Sequence, residues 1–223
     1  MCVEAARATE DSCVGNMCGS GSMETRIHIL LTHLTPRDAR ARMFECEYLA
    51  QRCAALSAND TPAILLGDMN TLSHLDDTHY AASKLQQTLA KDTRLQKKFL
   101  RKADDSPFEE AGGTVLSDVH LNLDYRPMRA LLASGMFDLS IAFENEDANG
   151  ECVERSGEFQ ATVGTTNVKE DGMHAGAMRL DYILGNRAVR PFCHRPVFAV
   201  RDAETVEISD HLPVILHLML HST

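Results

Sequence analysis

A carboxylate and a carboxamide stand two residues apart in ILLGDMNT, residues 64–71, directly after an apolar run. Asp68 can bind a hard cation or orient a water, and Asn70 can donate a hydrogen bond to a developing oxyanion. Residues 63–67 predict a strand buried on both faces, with a buried helix segment as the alternative. An extended backbone would aim Asp68 and Asn70 to the same side. A plain turn is the other interpretation of this stretch, since Gly, Asp and Asn are common turn formers.

Other chemically capable residues lie at the ends of apolar segments or inside them. His33 closes RIHILLTH, Asp181 interrupts the apolar MRLDYILG, and Asp210 and His211 precede PVILHLML. Each also has a purely structural interpretation, because a strand-end histidine is often structural and an Asp-His pair can form a turn. Asp181 is more informative, since a carboxylate in an apolar strand needs a partner. Ligands of open α/β sheets bind at strand ends, so these residues together predict one site.

The elements that must position these residues begin with a βαβ unit. RIHILLTH alternates as a strand does, and Thr35 and Pro36 predict an N-cap and a first helical residue. The helix should run to about Leu56, before the strand at 63–67. A strand, a helix and a strand within so short a span indicate an α/β fold.

The rest of the chain predicts two more helices and three more strands. We expect helices over 80–101 and 124–135, the second capped by Asp124 and ended by Gly135. The polar segment 144–177 reads as a long loop that could carry substrate selectivity, with His174 solvated inside it. Strands are expected at 178–185, 195–200 and 213–220. The basic segment KKFLRK, 97–102, is most simply a solvated face, with phosphate contact as the less favoured interpretation.

Composition narrows the class of protein. The chain has 223 residues, 44% of them hydrophobic, and a net charge of −10, which argues against a broadly basic surface for long nucleic acids. Seven cysteines without a Cys-x-x-Cys motif predict free thiols rather than a cysteine zinc site, and hence an intracellular, cytoplasmic or nuclear location. Residues 1–24 read as a mobile tail and 25–223 as the folded domain. No apolar run is long enough to predict a membrane span.

Four motifs in order carry a family resemblance. THLTP, LLGDMN, RLDYIL and SDHLPV closely resemble the second half of the endonuclease/exonuclease/phosphatase superfamily, the DNase I-like fold of metal-dependent phosphoesterases. The resemblance spans about 26–220 and makes 25–223 a C-terminal half. It implies a four-layer α/β sandwich, with two central sheets between helices, that lacks much of the N-terminal half.

The resemblance also implies roles for the residues of the predicted site. Asp68 would orient or deprotonate the attacking water, Asn70 would steady the phosphate oxygens, and His211 would contact the scissile phosphate. Asp181 would orient His211, and His33 would help the leaving group or the phosphate. Asp210 would be the carboxylate on the metal side, and the expected ion is Mg²⁺, with Mn²⁺ as a substitute.

Two family features have no counterpart, namely an asparagine on the first strand and a glutamate that is the main metal ligand. The chain is therefore expected to be either a shortened sequence or a divergent member. The alternative to a phosphoesterase is a non-catalytic fragment or interaction module. Loss of half a sandwich predicts an exposed apolar face, low stability, and either self-association or a missing partner segment. The substrate would be a phosphate ester, with nucleic acid, lipid and inositol phosphate undecided.

Overall fold

A computed structural model describes residues 26–83, 85–100, 123–141, 159–169, 174, 176–193 and 195–219. The predicted tail at 1–24 lies outside these ranges, so the domain boundary stays a prediction. Within the described ranges, no helix is both long and apolar enough to cross a membrane.

Four strands form the main sheet. They are β1 (His28–His33), β2 (Ala63–Asp68), β3 (Met136–Asp138) and β4 (Asp181–Asn186), in the order β1-β2-β4-β3. β1 and β2 are parallel, whereas β4 runs antiparallel to both β2 and β3. The helix α1 (Ala39–Ala58) connects β1 to β2, which confirms the predicted βαβ unit.

The start of α1 differs from the prediction. Asp38 is its N-cap and accepts two hydrogen bonds from N–H groups of the first turn, so the cap predicted at Thr35 is wrong. Thr35 instead donates its N–H and its hydroxyl to the Glu45 carboxylate, at 2.8 and 2.6 Å. The side chain of Thr35 therefore bonds to the body of the helix instead of its first turn.

Three short helices replace the helix predicted over 80–101. They are α2 (Asp77–Ala82), α3 (Leu85–Lys91) and α4 (Thr93–Phe99). The Ser83 hydroxyl accepts the N–H of the first residue of α3 at 3.2 Å, and Asp92 accepts two N–H groups of α4. Such local bonds compete with a continuous helix.

The fifth helix agrees with its prediction. α5 (Arg126–Ala133) ends before Gly135, whose φ of +85° suits a helix terminus. Asp124 accepts the Arg126 N–H at 3.2 Å and its guanidinium at 2.8 Å, although the cap position itself is Tyr125.

The C-terminal strands are shorter than predicted. β4 begins at Asp181, and β5 (Phe198–Ala199) pairs with β6 (Val214–Ile215) in a separate two-stranded antiparallel sheet. Three short elements complete the described fold: 3₁₀ turns at His74–Asp76 and Arg187–Phe192, and the helix α6 (Thr205–Ile208).

Helices cover one face of the main sheet, and the small sheet covers part of the other. On the helical side, the sheet and the helices form a hydrophobic cluster that includes Cys46, Cys53, Leu65, Leu131 and Leu184. The opposite side packs main-sheet residues against the small sheet, and its members include Ile64, Ile183, Val197 and Val214. Cys46 and Cys53 are buried free thiols, which confirms their predicted role in core packing.

Among the described residues, none covers an apolar part of the main sheet at β1. Ile29 is 49% exposed and Leu31 is 64% exposed. They pair with Ile64 and Leu66 of β2, so they lie on the face that carries the small sheet. An exposed apolar face of this kind is what an incomplete sandwich predicts. Low stability and self-association stay predictions.

Candidate functional site

Three predicted site residues lie side by side across the main sheet. His33 pairs with Asp68, and Asp68 pairs with Asp181, so β1, β2 and β4 each contribute one residue to a single row. Cross-strand partners project to the same face of a sheet. The Nε2 atom of His33 lies 3.4 Å from Oδ2 of Asp68. The strand pairing therefore brings together residues that are far apart in sequence.

Gly67 makes this row sterically allowed. It pairs with Thr32 and has a φ of +137°. A Cβ atom at this position would lie 1.8 Å from the Thr32 carbonyl oxygen. Only glycine lets β1 and β2 approach this closely one residue before His33 and Asp68.

Asn70 holds Asp68 in place. Its φ is +47°, so the extended backbone expected from Asp68 to Asn70 does not form. Its N–H donates to Oδ1 of Asp68 at 2.8 Å, and its amide nitrogen donates to Oδ2 at 2.8 Å and to the Leu34 carbonyl at 3.0 Å. With Asn70 only 2% exposed, its amide group is committed to these bonds. A contact with phosphate oxygens stays a prediction.

The carboxyl group of Asp68 has the electrostatics of a base. Burial raises its pKa, and the negative charge of Asp181 raises it further, while the Asn70 N–H acts in the opposite direction. A raised pKa brings a carboxylate closer to the proton affinity that general-base catalysis near neutral pH requires.

Asp181 and His211 form a pair across two segments. Nδ1 of His211 lies 2.8 Å from Oδ2 of Asp181. This hydrogen bond raises the pKa of His211, although burial opposes the shift. The bond orients the ring and favours its cationic form, which can interact with a phosphate. The pairing predicted for Asp181 is thus present in the structure.

Thr162 links the segments that carry this pair, and sequence analysis missed it. Its hydroxyl oxygen accepts the N–H groups of Leu180 and Asp181 at 3.0 and 3.2 Å. Its carbonyl accepts the Leu212 N–H at 2.8 Å, and the residue is 1% exposed. A lone threonine in a polar segment gives no sequence signal, because its function depends on contacts with distant residues.

A buried charge network lies beside the row and was also missed. The Arg179 guanidinium is 2.9 Å from Asp76 and 2.7 Å from Asp138, and it stacks over the Tyr182 ring at 4.7 Å. The Tyr182 hydroxyl donates to the Arg179 carbonyl at 2.8 Å. These contacts fix the backbone on both sides of Asp181.

Lys98, in the basic segment 97–102, is partly buried. Burial lowers its pKa to about 8, and the negative charge of Asp68 acts in the opposite direction. Lys97 is exposed, as predicted for a solvated face. Residues 101 and 102 lie outside the described ranges.

His174 joins the predicted metal-side carboxylate. Its Nε2 atom lies 3.4 Å from Oδ2 of Asp210, and its ring centroid is 5.7 Å from that of His211. The side chain of His174 is only 14% exposed, so the prediction of a solvated histidine is wrong. One ligand atom from each of the three residues lies within 4.8 Å of the others.

The three side chains fit a divalent cation. In the described part of the chain this group contains one carboxylate and two imidazoles, and no glutamate belongs to it. Asp210 is the carboxylate that the family resemblance placed on the metal side. Mg²⁺ prefers oxygen ligands, whereas imidazole suits transition metals. The donor set therefore matches a divalent ion in general better than it matches Mg²⁺ in particular.

Three solved structures illustrate what this chain is similar to. They are an AP endonuclease from Archaeoglobus fulgidus (15% identity, TM-score 0.46), a mannosyl-6-phosphatase from Bacteroides thetaiotaomicron (13%, 0.41) and a 3'-5' exonuclease from Neisseria meningitidis (14%, 0.47). The alignments cover 87, 86 and 85% of this chain and 62, 51 and 60% of those chains, in the same order. This chain therefore spans less than two thirds of each of them. A search of curated proteins finds no match.

The match to a family model is extensive. The sequence matches the Endonuclease/Exonuclease/phosphatase family over residues 6–211. This range begins well before Arg26, so the likeness covers most of the chain and starts earlier than the predicted residue 26. The match includes all six predicted site residues, which fall between His33 and His211. The chain belongs to the endonuclease/exonuclease/phosphatase family, and its fold is the DNase I-like α/β fold.

Proposed function

We propose that this protein is a metal-dependent hydrolase of phosphate esters in which Asp68 activates the attacking water. The observation that carries the proposal is the row of His33, Asp68 and Asp181 across three strands, with His211 bonded to Asp181. The site combines Asp68, a carboxylate of raised pKa in the row, with His211, an imidazole beside the row whose cationic form is favoured. These are the groups that water activation and phosphate binding require.

The reaction is an attack of water on phosphorus. Asp68 takes a proton from the water as its oxygen forms a bond to phosphorus, and the bond from phosphorus to the leaving oxygen breaks. Asn70 keeps the base oriented through its bonds to both carboxylate oxygens. The cationic imidazole of His211 offsets the charge that accumulates on the phosphoryl oxygens. His33, with a side chain that is 70% exposed, donates a proton to the leaving oxygen.

A divalent cation held at Asp210 would belong to the same site. Such an ion neutralises charge on the phosphoryl oxygens when it is bound. The family resemblance predicts Mg²⁺ or Mn²⁺ for this role. Ligand atoms of Asp210 and His211 lie within 4.8 Å of each other, so an ion at Asp210 would be close to the imidazole.

The substrate class is proposed from charge. A net charge of −10 disfavours proteins that neutralise many phosphates of a long nucleic acid. We therefore propose a substrate with one or a few phosphate groups, such as a lipid, an inositol phosphate or a nucleic-acid end. An intracellular location remains part of the proposal.

Hydrolysis of bis-p-nitrophenyl phosphate in ¹⁸O-labelled water tests the reaction. The assay compares Mg²⁺, Mn²⁺ and Zn²⁺ with a chelator, and mass spectrometry locates the label. We expect metal-dependent release of p-nitrophenol, with one ¹⁸O atom in p-nitrophenyl phosphate. Label in the phenol would contradict attack on phosphorus. Folded protein without turnover under any of these conditions would support the non-catalytic alternative.

A further inference from the structure

We propose that His174, Asp210 and His211 form a binding site for a divalent transition-metal ion, with Zn²⁺ as the representative ion. The inference deepens the proposed function and rests on it for the catalytic meaning of the site. Its new element is His174, which none of the sequence motifs includes. No glutamate and no second aspartate accompanies Asp210 in this group, within the part of the chain that the structure describes.

The spacing of the three side chains supports the site. Their ligand atoms lie within 4.8 Å of one another, and Nε2 of His174 is 3.4 Å from Oδ2 of Asp210. Zinc binds nitrogen and oxygen at about 2.0–2.2 Å, so two ligands of one ion lie roughly 3–4 Å apart. Small side-chain rotations therefore suffice to bring all three donors onto one ion.

The bond between His211 and Asp181 is a second and independent feature of metal sites. A metal-binding histidine commonly donates its other ring N–H to a carboxylate, which fixes the ring and increases ligand basicity. Nδ1 of His211 lies 2.8 Å from Oδ2 of Asp181, so Nε2 is the ring nitrogen that faces away from this carboxylate. Asp181 can thus support His211 as a neutral ligand. In the metal-bound state the ion, instead of an imidazolium, would offset the charge of the phosphate.

The three side chains are partly buried, so solvent and substrate can still reach an ion bound between them. The side chains of His174, Asp210 and His211 are 14, 35 and 29% exposed. The donors are therefore held by their surroundings without being sealed from solvent. Two imidazoles and one carboxylate leave coordination positions for water or substrate, as in catalytic zinc sites with three protein ligands.

Chemistry distinguishes this proposal from the Mg²⁺ site that the resemblance implies. Mg²⁺ is bound by oxygen and keeps several waters, and it gains little from an imidazole. Zn²⁺ and Co²⁺ bind imidazole readily. The contribution of His174 to affinity should therefore be large for Zn²⁺ and Co²⁺ and small for Mg²⁺.

Titration of the metal-free full chain with Co²⁺ tests the site without any substrate. Visible absorption reports nitrogen ligation, and calorimetry with ZnCl₂ reports stoichiometry and affinity, both in the presence of a phosphine reductant. We expect one site per chain, and at least a tenfold loss of affinity in His174→Gln, the scale expected when a residue that supports a metal is removed. His28→Ala removes an exposed histidine on β1 and should bind like the wild type. His174→Asn serves as a second variant if His174→Gln does not fold.

The outcomes separate the site from the reaction. Stoichiometric binding that depends on His174 supports the inference even if the same samples hydrolyse no phosphodiester, a result that counts only against the proposed function. Equal Co²⁺ and Zn²⁺ affinities in wild type and folded His174 variants overturn it, even if the protein is an active Mg²⁺ enzyme. An intense thiolate-to-cobalt band in place of the nitrogen spectrum also overturns it, because the ion would then lie on cysteines.

Discussion

Oδ2 of Asp181 lies 2.8 Å from Nδ1 of His211, and Asp181 is also the cross-strand partner of Asp68. One carboxylate thus acts on two catalytic candidates with charges of opposite sign. It raises the pKa of His211 by a hydrogen bond and adds to the burial that raises the pKa of Asp68.

Replacement of Asp181 by asparagine should lower both pKa values. Asp68 must be deprotonated to act as a base, so the acid limb of the pH–rate profile should move to lower pH. His211 must be protonated to act as a cation, so the alkaline limb should also move to lower pH. Histidine titration by NMR in metal-free protein and the pH dependence of kcat/KM measure the two shifts. Asp60→Asn, at an exposed position, is the control, and an unchanged profile in Asp181→Asn would refute this assignment.

Removal of the Thr162 hydroxyl should displace Asp181, although Thr162 itself is not a member of the row. Thr162→Val keeps the shape of the side chain but leaves two buried N–H groups without their acceptor. We expect kcat to fall by about ten- to a hundredfold with little change in KM, because small misplacements are costly in catalysis. Thr162→Ser retains an acceptor and should restore most of kcat.

The matched control for this substitution is Thr165→Val. The Thr165 hydroxyl is buried and has no hydrogen-bond partner among the residues that the structure describes, so its loss should be neutral or stabilising. If Thr162→Val and Thr165→Val had the same kcat, Thr162 would have no positioning role.

Arg179 should be the residue whose loss destabilises the fold most. Arg179→Met would leave Asp76 and Asp138 buried together without a counter-charge, which costs about 3–5 kcal/mol of unfolding free energy. Urea denaturation followed by circular dichroism measures the change. Arg52→Ala, at an exposed position of α1, should stay within about 0.5 kcal/mol of the wild type. A loss at Arg179 no larger than that at Arg52 would count against the network.

Gly67 should tolerate no side chain, for reasons of space as well as backbone conformation. Gly67→Ala places a Cβ atom 1.8 Å from the Thr32 carbonyl oxygen and should separate β1 from β2 beside Asp68. Gly176 has a similar φ of +143°, and no atom of the described residues lies within 4 Å of a Cβ atom placed there, so Gly176→Ala bears only the conformational cost of about 1–3 kcal/mol. Thermal unfolding should show a clearly greater loss for Gly67→Ala, together with lower turnover. Equal losses would mean that the strand contact is unimportant.

Periodicity and order of motifs predicted the parts of the fold that depend on local sequence. The apolar run before Asp68 and the alternation before His33 located β2 and β1, and their separation predicted α1. The strand pairing brings His33, Asp68 and Asp181 together. This agrees with the prediction that polar residues at strand ends form one site. Boundaries were less predictable, because side-chain caps at Ser83 and Asp92 divided one predicted helix into three.

The remaining features of the site depend on contacts that no local pattern records. The left-handed backbone of Asn70 turns its amide toward Asp68, although its sequence position suggested a group free to meet substrate. Thr162 and His174 lie in a polar segment without periodicity, and their partners are Asp181 and Asp210. Arg179 looks like an ordinary charged residue until its two buried carboxylates are known.

The most direct test of the central claim is the metal-dependent turnover of bis-p-nitrophenyl phosphate by wild type, Asp68→Asn and Asp60→Asn. Circular dichroism must show all three proteins folded. If Asp68 is the base, Asp68→Asn should lose at least a hundredfold in kcat, the scale of general-base catalysis, while Asp60→Asn keeps wild-type turnover. Equal turnover in Asp68→Asn and wild type would contradict the account, because the row across the sheet would then not be the site of reaction.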